Sequence, residues 1–291
     1  MRVYHLNCGT ACPLGGALVD GRSRGMFARL VCHCLLIETN AGLVLVDTGL
    51  GLRDVKRPHP RLSRIATTLA NLQFHESETA IRQVEKLGFG ASDVRHIIVT
   101  HLDFDHAGGL QDFPNATVHL MSDELEAAMR QRHGFIAKQR YRPMQLSGIT
   151  PWCDYQVQGE AWFGFEAVRQ LDGLPPEILM VPLRGHTWGH AGVAVETGEG
   201  WLLHAGDAYF YRGEIGVPER TCPPGLRLFQ NVVEVSREMR LKNQERLRAL
   251  SIERAGEVRI FCAHDATEYL QLRTAAMSLA RQAAIPPSEA A

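Results

Sequence analysis

The sequence predicts an α/β fold in a single domain, with polar chemistry gathered at one edge of its sheets. A chain of 291 residues with 45% hydrophobic residues contains enough apolar material for a sizeable core. Short apolar runs alternate with amphipathic segments, and five of those runs are closely followed by an aspartate or a histidine. Because ligand sites in α/β sheets form at the carboxyl ends of strands, we expect these polar residues to meet.

The five runs are predicted to be buried strands, since each is short, apolar and bounded by glycine or polar residues. They occupy residues 43–46, 96–100, 178–183, 201–204 and 258–263, and a further strand is expected to open the chain. The polar residues that follow these five runs are Asp47, His101, His186, Asp207 and His264.

Helices are predicted in the intervals between the strands. They are expected at residues 77–87, 122–132 and 230–250. In the first of them, Ile81, Val84 and Leu87 share one face, and Gly88 is expected to end the helix.

The domain is predicted to span residues 1–283. Residues 133–177 show no regular period and are rich in aromatic residues, so we interpret them as a cap or substrate loop. Residues 284–291 have no periodicity and are predicted to be a flexible tail.

The composition restricts the classes of partner. The 31 basic and 32 acidic residues leave a net charge of −1, so no nucleic-acid partner is expected. No membrane span is expected either, because no run of about 18 apolar residues occurs.

The seven cysteines are expected to be free thiols. Their number is odd, and the chain does not start with the apolar run of a signal peptide, so we expect a cytoplasmic protein. An alternative for four of these cysteines is a separate zinc site, although the spacings of Cys8, Cys12, Cys32 and Cys34 fit standard zinc patterns poorly.

The strongest chemical signal is a run of four metal-ligand types within six residues. It comprises His101, Asp103, Asp105 and His106, directly after a predicted strand. Imidazole and carboxylate together suit Zn²⁺, Mn²⁺ or Fe²⁺. Taken singly, Asp105 could be a helix cap, Asp103 a solvated loop residue, and each histidine a hydrogen-bonded core residue. Their joint position at a strand end favours a metal site.

Three later residues complete the candidate set. His186 lies nearest a strand end and is the expected ligand of its segment, whereas His190 is expected to support the site or belong to the core. Asp207 could bridge two ions, because a carboxylate has two oxygens, or could simply form a turn. His264 closes the set.

These ordered motifs resemble those of the metallo-β-lactamase superfamily. Within it, the phrase His-Leu-Asp-Phe-Asp-His-Ala-Gly-Gly, which begins at His101, resembles the quorum-quenching acyl-homoserine lactonases. The resemblance implies a four-layer αβ/βα sandwich with the metal site at one edge of the two sheets. It also implies two divalent metal ions, zinc in the first place, with manganese or iron as alternatives.

The resemblance further implies a role for each candidate. One ion would be held by His101, Asp103 and His186, and the other by Asp105, His106 and His264. Asp207 would bridge the two ions. Asp47 matches a position that supports the ligands from behind.

Asp103 departs from the family motif, which has a histidine at this position. The net charge of the site is zero when two divalent ions (+4) are combined with one hydroxide (−1) and the three carboxylates (−3) of Asp103, Asp105 and Asp207. With a neutral histidine in place of Asp103 the net charge would be +1. A less positive site should acidify its water less and should favour harder ions such as Mn²⁺ or Fe²⁺. We therefore expect Asp103→His to tighten zinc binding.

The resemblance implies a metal-dependent hydrolase that uses a metal-bound hydroxide on a small-molecule substrate such as a lactone or carboxylic ester. Tyr209 or Tyr211 is a candidate to stabilise the leaving oxygen, because the related lactonases use a tyrosine in this vicinity, although the spacing here is offset by one residue, with Phe210 between the two tyrosines. One alternative is a phosphodiesterase, and a second is a mononuclear iron enzyme of sulfur or thiol oxidation. A homodimer is compatible with the sequence.

A basic cluster bears on the phosphodiesterase alternative. Its members are Arg130, Arg132, Lys138, Arg140 and Arg142. The cluster could hold an anionic group of the substrate, although a solvated helix face is the commoner explanation.

Overall fold

The computed structural model describes residues 1–130, 134–149, 151–166 and 171–283. The predicted tail at 284–291 lies outside the described residues. The strands are β1 (Arg2–Ala11), β2 (Leu30–Thr39), β3 (Gly42–Val46), β4 (Leu72–Gln73), β5 (Val94–Ile98), β6 (Thr117–Met121), β7 (Trp152–Tyr155), β8 (Ala161–Trp162), β9 (Phe165–Glu166), β10 (Ile178–Pro182), β11 (Ala191–Thr197), β12 (Gly200–His204) and β13 (Val258–Phe261). The helices are α1 (Ala17–Asp20), α2 (Leu52–Lys56), α3 (Pro58–Arg61), α4 (Arg64–Ala70), α5 (Ala80–Lys86), α6 (Ser122–Arg130), α7 (Phe135–Arg140), α8 (Pro143–Leu146), α9 (Pro224–Val233), α10 (Arg237–Glu253) and α11 (Ala266–Ala283).

Two β-sheets form the centre of the molecule. The larger has seven strands in the order β4-β1-β2-β3-β5-β6-β7, and the smaller has four in the order β10-β11-β12-β13. Strands β3, β5, β6 and β7 run parallel to one another, and β13 runs parallel to β12, while the remaining pairs in both sheets are antiparallel. Strands β8 and β9 form a small separate hairpin.

The two sheets pack face to face, and helices cover their outer faces. Ile37 of the large sheet and Met180 of the small sheet belong to the same buried cluster between the sheets. On the outer side of the large sheet, Val84 of α5 packs in a cluster with Ile97. On the outer side of the small sheet, Leu247 of α10 belongs to the cluster of Leu203. The layers are therefore helix, sheet, sheet and helix, as the sequence predicts.

The predicted strands end at a common edge. In the large sheet, β3 and β5 are in register at Val46 and Ile98, and in the small sheet β12 and β13 are in register at His204 and Phe261. Backbone hydrogen bonds then join the loops beyond the strands, for example from Ala191 N to the carbonyl of Thr100 (2.9 Å). The polar residues beyond the strands are thus held on one rigid framework.

The helix predicted at 230–250 is two helices, α9 and α10, with a break at residues 234–236. Ser236 caps α10, since its side chain accepts a hydrogen bond from the N–H of Met239. The N–H groups of Val235 and Ser236 both donate to the carbonyl of Gly185 (3.0 Å each). The residues of this break therefore anchor the loop that precedes His186. The amphipathic pattern of the sequence did not predict the break.

The prediction that residues 133–177 have no regular structure is wrong for the described parts of this region that form α7, α8, the hairpin β8–β9, and β7, which pairs with β6 of the large sheet. Trp162 and Phe165 are buried beside the small sheet. These strands have only two to four residues, too few for a period to be seen in the sequence. The role of the region as a cap or substrate loop stays a prediction.

The other two helices agree with their predictions in position. Residues 77–87 form a short 3₁₀ turn (Glu76–Glu78) followed by α5, and residues 122–130 form α6. Residues 131 and 132 of that prediction lie outside the described residues. Among the helices that the structure describes, none is long and apolar enough to cross a membrane.

Candidate metal centre

Four loops at one edge of the two sheets carry the candidate ligands. The loop after β5 carries His101, Asp103, Asp105 and His106, and the loops after β10, β12 and β13 carry His186, Asp207 and His264. The structure brings their donor atoms into overlapping groups, within each of which all atoms lie within 4.8 Å of one another. The groups are His101–Asp103–His186–Asp207, His106–Asp207–His264 and Cys32–Asp105–His264.

The first of these groups, which we call the first subsite, combines two imidazoles with two carboxylates. Oδ2 of Asp103 lies 3.4 Å from Nε2 of His101 and 3.0 Å from Nε2 of His186. Oδ2 of Asp207 lies 3.6 Å and 3.4 Å from the same two nitrogens. The four donors surround a space of the size that one divalent ion fills.

The second group, which we call the second subsite, uses the other oxygen of Asp207. Oδ1 of Asp207 lies 3.4 Å from Nε2 of His106 and 3.1 Å from Nε2 of His264, and the two nitrogens are 3.3 Å apart. Oδ2, which faces the first subsite, also lies 3.3 Å from Nε2 of His264, so the carboxylate of Asp207 lies between the two subsites, where a bridging ligand would be placed.

Asp105 stands slightly apart from the second subsite. Its Oδ2 lies 3.8 Å from Nε2 of His264, and the side chain is about one-fifth exposed. It groups with His264 and with Cys32, a buried cysteine of β2 whose thiol the sequence did not indicate as a neighbour of the site. Burial, and then the nearby Asp105, raise the pKa of the Cys32 thiol well above its usual value, so the thiol is protonated in the absence of a metal.

The residues fit a divalent metal. Ligands of a tetrahedral zinc ion at about 2.0–2.1 Å are about 3.3 Å from one another, which matches the spacings in both subsites. Nε2 of His101 and Oδ1 of Asp207 are buried without a hydrogen-bond partner among the residues that the structure describes. Buried polar atoms are seldom left unpaired in a protein, and here the unpaired atoms face the two subsites.

Asp47 and Thr100 orient two of the imidazoles from behind. Oδ2 of Asp47 accepts hydrogen bonds from Nδ1 of His106 and from the Thr100 hydroxyl (2.8 Å each). That hydroxyl in turn lies 2.9 Å from Nδ1 of His101 and accepts its proton. Each ring therefore carries its proton on Nδ1, which leaves Nε2 free for a metal.

Backbone carbonyls orient two further imidazoles. Nδ1 of His264 donates to the carbonyl of Val31 (2.7 Å), which leaves Nε2 of that ring for the second subsite. Nδ1 of His190 donates to the carbonyl of Leu183 (2.9 Å), and its Nε2 accepts from the N–H of Asp207 (2.8 Å). Because both nitrogens of His190 are used, it supports the site without being a ligand, as predicted.

In the second subsite, attraction between opposite charges outweighs burial in its effect on the pKa values of His106 and Asp207. Burial alone would lower the pKa of His106, but the carboxylates of Asp207 and Asp47 raise it well above its usual value. Burial alone would raise the pKa of Asp207, but His264 and His106 hold it well below its usual range. A proton shared among these groups occupies the position of a cation, so a bound metal would displace it.

Glu124 ties together two of the loops that carry candidate ligands. Its fully buried carboxylate accepts hydrogen bonds from the N–H of Leu102 (3.0 Å) and from the N–H of Gly189 (3.1 Å). Position 189 needs glycine, because a Cβ there would lie 2.1 Å from the backbone nitrogen of Glu124. The N-terminal turn of α6 thus fixes the spacing between the loop of His101 and the loop of His186.

Arg140 contradicts the interpretation of the basic cluster as a solvated helix face. Its side chain is buried, and Nε lies 3.0 Å from Oδ1 of Asp103. Arg142 donates to backbone carbonyls, among them Lys138 O (2.7 Å), and Arg130 pairs with Glu126. Residue 132 lies outside the described residues. The described members of the cluster therefore form no common surface for an anionic substrate.

Phe210, rather than either neighbouring tyrosine, faces the candidate ligands. Its ring stacks on His264 at a centroid distance of 5.0 Å and meets the ring of His186 edge-on at 5.6 Å. The phenol of Tyr209 is fully buried on the other side of the strand end and donates to Glu268 (3.1 Å). This placement argues against Tyr209 as a catalytic group, because alternation along the chain turns it away from the site. Tyr211 lies farther out, at the wall of a cleft beside His264.

Sequence reasoning missed Glu124 and Phe210 as residues of the site, and it named Arg140 only as a member of the basic cluster rather than as a partner of Asp103. A signal existed for Glu124, since it shares the buried face of α6 with Ala127 and Ala128 at helical spacing. A charged residue on an apolar face requires a buried partner. No comparable signal existed for Arg140, because its partner is distant in the sequence.

Comparisons with known proteins agree with the fold. A family model described as the metallo-β-lactamase superfamily matches residues 28–264. A probable metallo-hydrolase of Mycobacterium tuberculosis is 38% identical over 276 residues, which are 95% of this chain and 84% of the relative. An N-acyl homoserine lactonase of Bacillus cereus is 27% identical over 199 residues, covering 66% of this chain and 71% of the lactonase.

Solved structures confirm the predicted fold class. An N-acyl homoserine lactone hydrolase with the product N-hexanoyl-L-homoserine at its catalytic metal centre superimposes with a TM-score of 0.67 at 21% identity, covering 93% of this chain and 95% of that one. A dizinc quorum-quenching lactonase superimposes with a TM-score of 0.58 at 17% identity, covering 90% and 86%. At such identities the likeness shows the fold alone.

Proposed function

The chain belongs to the metallo-β-lactamase superfamily and is a metallo-hydrolase, and we propose that its substrate is a lactone or a related carboxylic ester. The observation that carries the proposal is the pair of subsites that share Asp207, since two ions about one carboxylate suit the hydrolysis of an ester. The similarity to N-acyl homoserine lactonases supports the choice of a lactone or ester.

Divalent metal ions follow from the family, and we infer two of them, with zinc as the first expectation and manganese or iron as alternatives. His101, Asp103 and His186 would hold one, and His106, His264 and Asp105 the other, with Asp207 between them. When bound, such ions supply Lewis acidity toward a carbonyl oxygen and lower the pKa of water.

The protein's own contribution is to orient the ligands and shape the pocket. Asp47 and Thr100 hold Nε2 of His101 and His106 toward the subsites, so the ligands need no rearrangement when an ion binds. The ring of Phe210 provides an apolar wall against His264. An apolar wall at this position suits the carbon skeleton of an ester.

A second candidate, a phosphodiesterase, is favoured by one observation. The cleft beside His264 is lined by Arg22 and Arg29 together with Phe210 and Tyr211. Both arginines are exposed and could neutralise a phosphodiester. Asp20 also lines this cleft, which reduces its positive charge and leaves the ester as the preferred substrate class.

The test begins with the metal content of protein purified without added metal, measured by inductively coupled plasma mass spectrometry. Activity is then assayed on a panel of N-acyl lactones, aryl esters and an aryl phosphodiester, with Asp207→Asn as the isosteric control. About two equivalents of metal and a lactonase or esterase activity that the control lacks would support the proposal. Activity on the phosphodiester alone would favour the second candidate. One equivalent of iron without hydrolysis would favour thiol or sulfur oxidation, and a failure to bind metal after reconstitution would overturn the proposed site.

A further inference from the structure

The two oxygens of Asp103 have different neighbours. Oδ2 faces the imidazoles of His101 and His186 at 3.4 and 3.0 Å. Oδ1 lies 3.0 Å from Nε of Arg140, an ion-pair distance, but the N–H is not aligned with it as a hydrogen bond. The side chains are 13% and 5% exposed, so water screens the pair weakly.

Arg140 is held in place by groups other than Asp103. One terminal nitrogen donates to the carbonyl of His186 (2.9 Å), and the other donates to the carbonyl of Val233 at the end of α9 (2.7 Å). The guanidinium is planar and permanently charged, so these two bonds fix where its positive charge lies. That charge lies against Oδ1 of Asp103, whereas Oδ2 faces His101.

We propose that Arg140 is a positioning residue that holds Asp103 with Oδ2 toward the first subsite, and that the Asp103–Arg140 pair takes the place of the family's histidine. A neutral histidine contributes no net charge, and neither does an aspartate paired with an arginine. The charge sum of zero deduced from the sequence omits Arg140, and including it gives +1, the value for a histidine at this position.

On this proposal Asp103→His should weaken zinc binding, the opposite of the expectation from the sequence, because that substitution leaves the charge of Arg140 buried and unpaired.

The inference rests on the proposed function, since it requires a metal in the first subsite. Its test is a double-mutant cycle of Arg140→Met and Asp103→His, with zinc affinity measured by competition with a chromophoric chelator and zinc stoichiometry by elemental analysis. In the wild-type background, Arg140→Met should weaken zinc binding about tenfold or more, because Asp103 loses its orientation. In the Asp103→His background, the same substitution should strengthen zinc binding, because it removes a repelling charge.

Arg142→Met is the matched control. Arg142 lies two residues farther along the chain, and its guanidinium contacts backbone carbonyls rather than a candidate ligand. The control should leave zinc affinity within about twofold of the wild type. Circular dichroism of the metal-free variants reports whether each folds. If Arg140→Met does not fold, Arg140→Gln replaces it, with the same opposite signs expected in the two backgrounds, since glutamine also removes the charge.

The outcomes separate the two proposals. A wild-type protein that binds no divalent metal would overturn the proposed function and this inference together. A wild-type protein that binds zinc, combined with equal effects of Arg140→Met in both backgrounds, would overturn the role of Arg140 alone. Opposite signs in the two backgrounds would support it.

Discussion

Replacing Glu124 with glutamine should loosen the candidate metal centre without touching any candidate ligand. The carboxylate of Glu124 accepts from the N–H of Leu102 at 3.0 Å and from the N–H of Gly189 at 3.1 Å, and the residue is fully buried. A glutamine has the same size but only one acceptor oxygen, so its NH₂ group must face one of the two N–H donors.

The expected cost follows from these two hydrogen bonds. One buried N–H that loses its acceptor costs about 1–3 kcal/mol, and the remaining bond changes from a charged to a neutral acceptor, which costs about 1 kcal/mol more. Removing a buried charge offsets part of this loss. We therefore expect Glu124→Gln to lower the free energy of unfolding by about 2–3 kcal/mol.

The assay is guanidinium unfolding of the metal-free protein, followed by chelator competition for zinc. Because Leu102 and Gly189 belong to the loops that carry His101 and His186, zinc affinity should also fall, by about tenfold. Glu126→Gln is the matched control, since Glu126 lies on the same helix, is 53% exposed and forms a surface ion pair with Arg130. An unfolding free energy within about 0.5 kcal/mol of the wild type for Glu124→Gln would refute the reasoning.

Three further substitutions test separate features of the structure. Asp47→Asn should weaken zinc binding about 10–100-fold by chelator competition, because an amide NH₂ next to Nδ1 of His106 favours the wrong tautomer. Tyr209→Phe should leave hydrolytic activity within about twofold of the wild type while unfolding shows a loss of about 1 kcal/mol, because its phenol bonds Glu268. His119→Gln should reduce the acid sensitivity of unfolding between pH 6.5 and about 4, by at most about 1.4 kcal/mol per pH unit.

The sign of the last prediction follows from burial. Burial, and then the nearby His96, lower the pKa of His119 from 6.5 to about 4, so the unfolded chain binds a proton in this window that the folded chain does not. The stability that neutral His119 contributes is present above pH 6.5 and is lost as the pH falls toward 4. If the free energy of unfolding fell equally steeply with falling pH in the wild type and in His119→Gln, the prediction for His119 would be contradicted. An unchanged zinc affinity in Asp47→Asn, or a large loss of activity in Tyr209→Phe, would contradict the other two.

Much of the fold was predictable from the sequence because several of its strands are short apolar runs. Strands such as β3 and β10 are covered on both faces, so nearly every residue in them is buried, and the apolar run itself marks the strand. The short strands β8 and β9 have two residues each and were not predictable, because their pairing depends on neighbours rather than on any local pattern.

The sequence by itself identified four of the candidate ligands that are gathered at the site. His101, His186, Asp207 and His264 each follow an apolar strand, and the parallel alignment of such strands brings their ends to one edge. Ligand chemistry depends on residue type, which is read directly from the chain. For these residues local pattern and residue type were therefore sufficient.

Only the tertiary structure decided how the neighbours of Asp103 and Asp207 are arranged. Arg140 reaches Asp103 because α7 packs against the loop of His186, and Phe210 rather than Tyr209 faces His264 because of the direction in which the chain leaves β12. Such contacts join residues far apart in the sequence, and they depend on backbone direction and on side-chain rotamers. Neither is encoded in local periodicity, so the charge balance and the apolar wall of the site became visible only in the folded protein.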